Sequence, residues 1–445
     1  MGRRERKQLS NRDLVIDITV FVLLLMIASA ILLDLFYKQA TIIYTYNPDD
    51  SYKSDMAAYI MEIQGIDSGY SFPYPVYFKT AAFINLFATP EFSVALAAML
   101  FNAVAIVIVK VMLNRFVLKE CSAGSGGKNP FWLKGILTSL LAVYLFFISM
   151  LFPPEGIYLP GIRFTYVGVF SANPYHNATY VAARPFAILA FLWYAKLLPV
   201  YEKGMGKKAE GTAGELPEIS DYILFSVFLL LATLTKPSFT LVLVGTAGLI
   251  MLFRLFRDKF RNFVPSLQLG LCFVPTFAVL LYQYSGVFVA KEGAEGGIGF
   301  TFGEVWGYYC DIIPLAIALA VGFPLLVLVL NFRELKQNTL YRFSWQLYLM
   351  SFAMAFFLYE KGFRKPDFNF SWGYMYGIFF CHLAALTVLL KATFQTAAKG
   401  APTQDGRKKT VCNRLLLGAQ WLAYLWHVMC GLYYFWGLWN GEIYY

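Results

Sequence analysis

The chain has 445 residues, of which 58% are hydrophobic and 18% aromatic while only 14% are charged; a soluble fold of this length carries nearer a quarter charged residues. An ordinary soluble enzyme is thereby excluded. The formal charge of +10 comes without an aromatic-interleaved basic domain, so no nucleic-acid partner is expected. The composition predicts an all-α integral membrane protein whose basic excess meets anionic membrane lipids at the inner leaflet.

In chain order, the opening MGRRERKQLSNRD precedes a long apolar run closed by Asp34, Leu35 and Phe36. Small residues would end a cleavable signal, so this one reads as a retained signal-anchor. Apolar runs then recur at lengths that cross a hydrocarbon core of about 30 Å. They predict about eleven spans, near 15–37, 92–113, 134–152, 179–198, 220–234, 238–256, 264–284, 311–330, 343–359, 373–391 and 415–439. The pair flanking Lys236 reads either as two helices or as one helix broken at Pro237.

With the N-terminus cytoplasmic, 27 of the 37 Lys and Arg residues fall on the inner side, which places the C-terminus outside a cell membrane. The inner connectors, such as 121–129 and 202–218, are rich in Gly, Ser, Lys and Glu and too short to fold alone. The whole chain is one polytopic membrane domain. Its six cysteines show no CxxC pair, which argues against a disulfide framework or a zinc site.

The outer connectors are chemically mixed. The first, residues 38–91, concentrates Asp49, Asp50, Asp55, Glu62 and Asp67. Ser54 can cap a short helix that Gly65 ends. On it Met56, Ile60 and Ile63 form a stripe suited to a membrane surface, and Asp55, Tyr59 and Glu62 a neighbouring one. Asp55 at the helix start is favoured as the ionised form by the helix dipole. A rigid FPYP turn containing Tyr74 leads to a second amphipathic piece from Val76 to about Ala88.

Farther on, NPYHNATY carries His176, and Arg184 follows near the start of a span. Imidazole can donate to a phosphate or sugar, and guanidinium can hold a phosphate bidentately; an interfacial turn with a snorkelling arginine explains the same pattern. Asn177-Ala-Thr179 fits a glycosylation sequon. Lys236 in TKPS lies on the outer side against the charge bias, and YEKGFRKPDFNFSWGY sets Arg364, Lys365 and Asp367 among aromatics that can stack on a sugar. His382 and His427, within spans, read as interhelical hydrogen-bonding residues.

The segment SDMAAYIMEI, the proline-aromatic piece after it and the topology resemble the GT-C superfamily of membrane glycosyltransferases. The resemblance implies a polyprenyl-phosphate-linked sugar donor, a glycan or lipid acceptor, and a first-loop acid as general base. Asp55 matches by position, with Asp49 and Asp50 as rivals. Arg364 and Lys365, with Arg184 or Lys236, would serve the phosphate, and His176, Asp367, Glu62 and Tyr74 are further candidates for binding the substrate. Members with a tight acid pair and a second acid in the next outer loop differ from this chain, whose nearest second acid is Glu155. No metal or other cofactor is expected. The rival class is a flippase or transporter of lipid-linked glycan, and a closer one is a glycan polymerase or ligase.

Overall fold

The computed structural model describes residues 11–42, 51–122, 131–151, 167–203, 218–287, 296–398 and 407–441. Four long helices frame it: α1 (Asn11–Thr41), α4 (Pro90–Ser122), α15 (Ser371–Ala398) and α16 (Arg407–Trp439). Between the first two lie the short α2 (Met56–Ile63) and α3 (Pro75–Ile84). Then come α5 (Phe131–Tyr144), α6 (Ala178–Lys203), α7 (Ile219–Thr235), α8 (Ser238–Arg257), α9 (Phe263–Leu271), α10 (Val274–Val287), α11 (Ile313–Ala320), α12 (Gly322–Leu330), α13 (Glu334–Gln337) and α14 (Thr339–Phe357).

Six helices are long and apolar enough to cross a membrane, or eight if each of two bent pairs counts as one crossing. The other three expected spans fall on α5, α7 and α14, with 14, 17 and 19 residues. By length and composition, then, six to eight of the described helical segments could cross a membrane. Met26, Phe253, Leu281, Val329 and Met429 are each more than 60% exposed, an apolar girdle of the kind lipid covers.

Prolines set the departures from straight spans. Pro275 and Pro324 have no N–H to give to the carbonyls of Leu271 and Ala320, four residues earlier. There α9–α10 bends by 53° and α11–α12 by 74°. At the second break the buried N–H of Phe323 donates to His427 Nε2 (3.1 Å), whose Nδ1 lies 2.6 Å from the Ser149 carbonyl.

The expected span 134–152 stops being helical after Phe147. Chain beyond it is extended, with Ser149 and Leu151 donating to the carbonyls of His427 and Leu319. The freed carbonyls are met from one segment: Asn173 Nδ2 donates to Leu145 and Ile148 (3.1 and 2.9 Å), and the Tyr175 hydroxyl to Phe146 (2.7 Å). This matters because unmet backbone groups are costly in lipid.

Around Lys236 the chain forms two helices. Thr233 and Thr240 hydroxyls meet at 2.9 Å, whereas seven residues of continuous helix would separate them by about 10 Å along the axis. The core centres on α15, which lies against α4, α8, α12, α14 and α16. Gly377 permits its approach to α14, since a Cβ there would lie 2.1 Å from Ser351 Oγ.

A two-stranded antiparallel ribbon pairs β1 (Ile298–Phe300) with β2 (Leu358–Glu360), Ile298 opposite Glu360. Described parts of the expected outer connectors meet one another, the Asp55 N–H donating to the His176 carbonyl and Lys236 to Asn177. The end of α16 joins them: Trp439 Nε1 donates to Asp34 at 2.5 Å, and Tyr52 donates to the Trp439 carbonyl at 3.2 Å.

Toward the opposite end α1, α4 and α5 share a closed polar knot. Lys110 Nζ meets Asp17 (2.5 Å), Asn114 (3.1 Å), Thr138 (2.8 Å) and the Gly135 carbonyl (2.9 Å), and Asn114 Nδ2 meets the other Asp17 oxygen (2.8 Å). Both charges are 5% exposed. Removing one partner strands a buried charge, so Asp17→Asn or Lys110→Met alone should destabilise the protein by about 3 to 5 kcal/mol. The double variant Asp17→Leu with Lys110→Met should regain most of that in thermal denaturation; equal melting of single variants and parent would contradict a buried pair.

Candidate functional site

Asp55 occupies the N-cap position of α2, and its backbone N–H donates to the His176 carbonyl at 3.2 Å. Ser54 Oγ accepts from the Met56 N–H at 3.3 Å, and at the other end Gly65 takes φ +73°. There Gly65 and Ile66 donate back to Glu62 and Met61, a left-handed stop that glycine adopts without strain. The stripe expected to lie on lipid packs on the protein instead: Met56 is 1% and Ile60 9% exposed, and Ile63 is partly buried against the core. The reason is that α2 lies on α1, α3 and α4, whose apolar faces cover it first. Tyr59, expected on the polar stripe, is buried with its hydroxyl turned toward polar atoms.

That hydroxyl lies 3.2 Å from Asp55 Oδ2 and 3.3 Å from Thr179 Oγ1. Asn177 Nδ2 donates to the same Asp55 oxygen at 2.5 Å. Among the described residues no donor reaches Asp55 Oδ1, and the side chain is half-buried.

Asn177 is the cap of α6. Its Oδ1 accepts from the Tyr180 N–H (2.8 Å), the Thr179 hydroxyl (2.8 Å) and Lys236 Nζ (3.1 Å). A flipped amide would face its NH2 to an ammonium and a backbone N–H, so the orientation is fixed.

Lys236 sits between α7 and α8, 7% exposed. Besides Asn177 its ammonium meets Thr179 Oγ1 at 3.2 Å and the Trp372 ring at 4.5 Å. Among the described residues no carboxylate lies within ion-pair distance of it. Burial pushes its pKa down to about 8; the Asp55 and Glu360 charges work against this and Arg364 with it. Its charge is thus present at neutral pH and lost as pH rises through about 8.

His176 lies beside Trp372, ring centroids 5.1 Å apart. Burial pulls its pKa down to about 4, opposed by Asp55 and aided by Lys236.

The ribbon brings the remaining charges. Glu360, 8% exposed, accepts from Asn369 Nδ2 at 2.8 Å and lies 3.3 Å from Arg364 Nε. Burial raises its pKa, against Arg364 and the Asn369 hydrogen bond. Asn369 also accepts from Trp372 Nε1 at 3.2 Å, which links the acid to the ring beneath Lys236. Tyr74, at the start of α3, has its hydroxyl pKa raised by burial and by the Asp55, Glu360 and Glu62 charges, with Arg364 opposing.

The sequence candidates thus divide. Asp55, His176, Lys236, Arg364 and Tyr74 come together, and Glu62 reaches them only through its charge. Asp367 joins them through Arg364 (3.4 Å) and through the Asp55 charge, whereas Lys365 turns to Glu304 (2.5 Å). Arg184 is 1% exposed, its guanidinium bonded to Asn102 (3.1 Å) and the Ala172 carbonyl (3.3 Å) over the Tyr180 ring at 5.1 Å. Asp49, Asp50 and Glu155 lie outside the described residues. Among those described, no group of three or more His, Cys, Asp or Glu side chains is placed to hold a metal ion.

The sequence did not mark Asn177, Thr179, Tyr59 or Glu360 as members of this cluster of charged and polar side chains. Asn177 carried a signal, since Asn directly before an apolar helical run is a helix cap. Glu360 carried a weaker one, an acid at the end of a span followed by three cations.

His176 should stay neutral from pH 5 to 8 in a ring-proton or labelled-ring NMR titration, and a midpoint near 6.5 would contradict its burial. Between about pH 6.5 and 4 the unfolded chain binds a proton there that the folded one does not, so this group lowers stability on acidification. In comparisons with known proteins, the chain matches no protein-family model, no curated protein and no solved structure.

Proposed function

We propose that the chain is a GT-C-like membrane glycosyltransferase with about eleven crossings, N-terminus cytoplasmic and active site on the outer face of a cell membrane. It transfers a sugar from a polyprenyl-phosphate-linked donor to an acceptor hydroxyl with inversion. The observation that carries this reading is one carboxylate beside a buried ammonium, assembled from four separated segments, with no donor on Asp55 Oδ1 and no carboxylate paired to Lys236 among the described residues.

In the reaction, the acceptor hydroxyl gives its proton to Asp55 Oδ1 as its oxygen attacks the anomeric carbon. The carbon–oxygen bond to phosphate breaks on the opposite side, and the electron pair leaves with polyprenyl phosphate. Lys236 and Arg364 meet the growing negative charge, while Trp372 and Tyr74 offer ring faces to the sugar. Arg184 is left out of this reading, since it is 1% exposed and two of its guanidinium nitrogens bond Asn102 and the Ala172 carbonyl.

Two discontinuous helix pairs favour a second reading, since flippases and transporters build their paths from broken helices. Against it, the Asp17–Lys110 pair is closed on itself rather than lining a path.

Purified protein given a labelled donor should release polyprenyl phosphate, and Asp55→Asn should lower that release by about 100-fold or more with membrane insertion intact. Movement of donor across liposomes without release would make the protein a flippase. Donor binding should weaken as pH rises through about 8 in the parent and lose that dependence in Lys236→Arg; a pH-independent parent would remove Lys236 from the anion site.

A further inference from the structure

We propose that Asn177 is a neutral spacer that keeps the Lys236 ammonium and the Asp55 carboxylate from closing into an ion pair, leaving each charge to a ligand group of its own. The purpose of the spacer rests on the transferase reading, but its existence does not.

The geometry is a relay of two contacts through one amide. Lys236 Nζ donates to Asn177 Oδ1 at 3.1 Å, and Asn177 Nδ2 donates to Asp55 Oδ2 at 2.5 Å. The amide is anchored by the Tyr180 N–H and the Thr179 hydroxyl, so it cannot swing out and let the charges meet. Opposite charges brought together away from water attract strongly, and lysine has a flexible four-carbon stem with which to reach. A longer second relay runs from Lys236 through the Thr179 and Tyr59 hydroxyls to Asp55, and the Asn177 amide is the shorter bridge, the one side chain among the described residues that touches both charges.

Closure would disable both groups. A paired carboxylate is a weaker base, because the neighbouring cation favours its ionised form. A paired ammonium has less charge to offer an incoming anion. The uncharged face of Trp372, 4.5 Å from Lys236 Nζ, is the complementary device: it supports the cation without neutralising it. The other groups facing this lysine are His176 from the segment before α6, Glu360 at the end of β2, and Arg364 after it; none is within ion-pair distance.

The test reads the lysine, not sugar transfer. Intact protein in detergent is treated with a small amine-acylating reagent across a pH series, and Lys236 modification is followed by peptide mass spectrometry. Asn177→Ser and Asn177→Thr each keep an oxygen able to cap α6 but are too short to bridge Lys236 to Asp55. In either variant the labelling midpoint should rise by about one to three pH units, the effect of a newly adjacent opposite charge, and adding Asp55→Asn should reverse the rise. Two capping-competent variants allow for one that folds poorly. A midpoint unchanged or lowered in the folded variant would leave Asn177 as a helix cap only and overturn the proposal. Absence of transfer by the parent would instead retire the transferase reading and leave the spacer standing.

Discussion

The site depends on taking one lysine ammonium out of water without giving it a carboxylate. Burying a charge costs several kcal/mol, and Lys236 offsets part of that cost with an amide oxygen, a hydroxyl and an indole face. Each is neutral, so the positive charge remains uncancelled. A cation held this way attracts an anion, and the neighbouring Asp55 can accept a proton beside it. Both properties are what the proposed transferase reaction requires.

Bringing those partners together governs the surrounding fold. Asn177 and Thr179 must open α6, which requires the 167–177 segment to run across the end of α5. That segment does so by supplying Asn173 and Tyr175 to the carbonyls α5 leaves unmet. Trp372 must open α15, and the ribbon that pairs Ile298 with Glu360 sets the chain before it. The tight two-residue break at Lys236 and Pro237 then delivers the ammonium between them. Away from the site, the Asp17–Lys110 knot and the glycine contacts of α15 hold the helices that carry these segments.

Much of this was legible in the chain itself. Hydrophobic run length located helical segments, because bilayer thickness and backbone hydrogen bonding leave few alternatives. Lys236 stood out as a cation against the charge bias, and Asp55 as an acid at a helix start. What the sequence hid was partnership. Nothing local distinguishes Arg184, which turns inward to Asn102, from Arg364, which turns to Glu360. Periodicity placed Met56, Tyr59 and Ile60 on stripes correctly but could not say that protein rather than lipid covers them. Asn177 showed as a sequon and a cap, while its second role needs Asp55, 122 residues away. Helix breaks at Pro275 and Pro324 were readable from proline alone, yet the length of an apolar run masks them.

The most direct measurement is a structure of the protein in a lipid nanodisc with a non-transferable polyprenyl-phosphate sugar bound. The account predicts a phosphate oxygen at about 3 Å from Lys236 Nζ, the sugar against Trp372, and Asp55 Oδ1 on the side of the anomeric carbon away from the phosphate. A phosphate seated away from Lys236, or an anomeric carbon screened from Asp55 by protein, would contradict it.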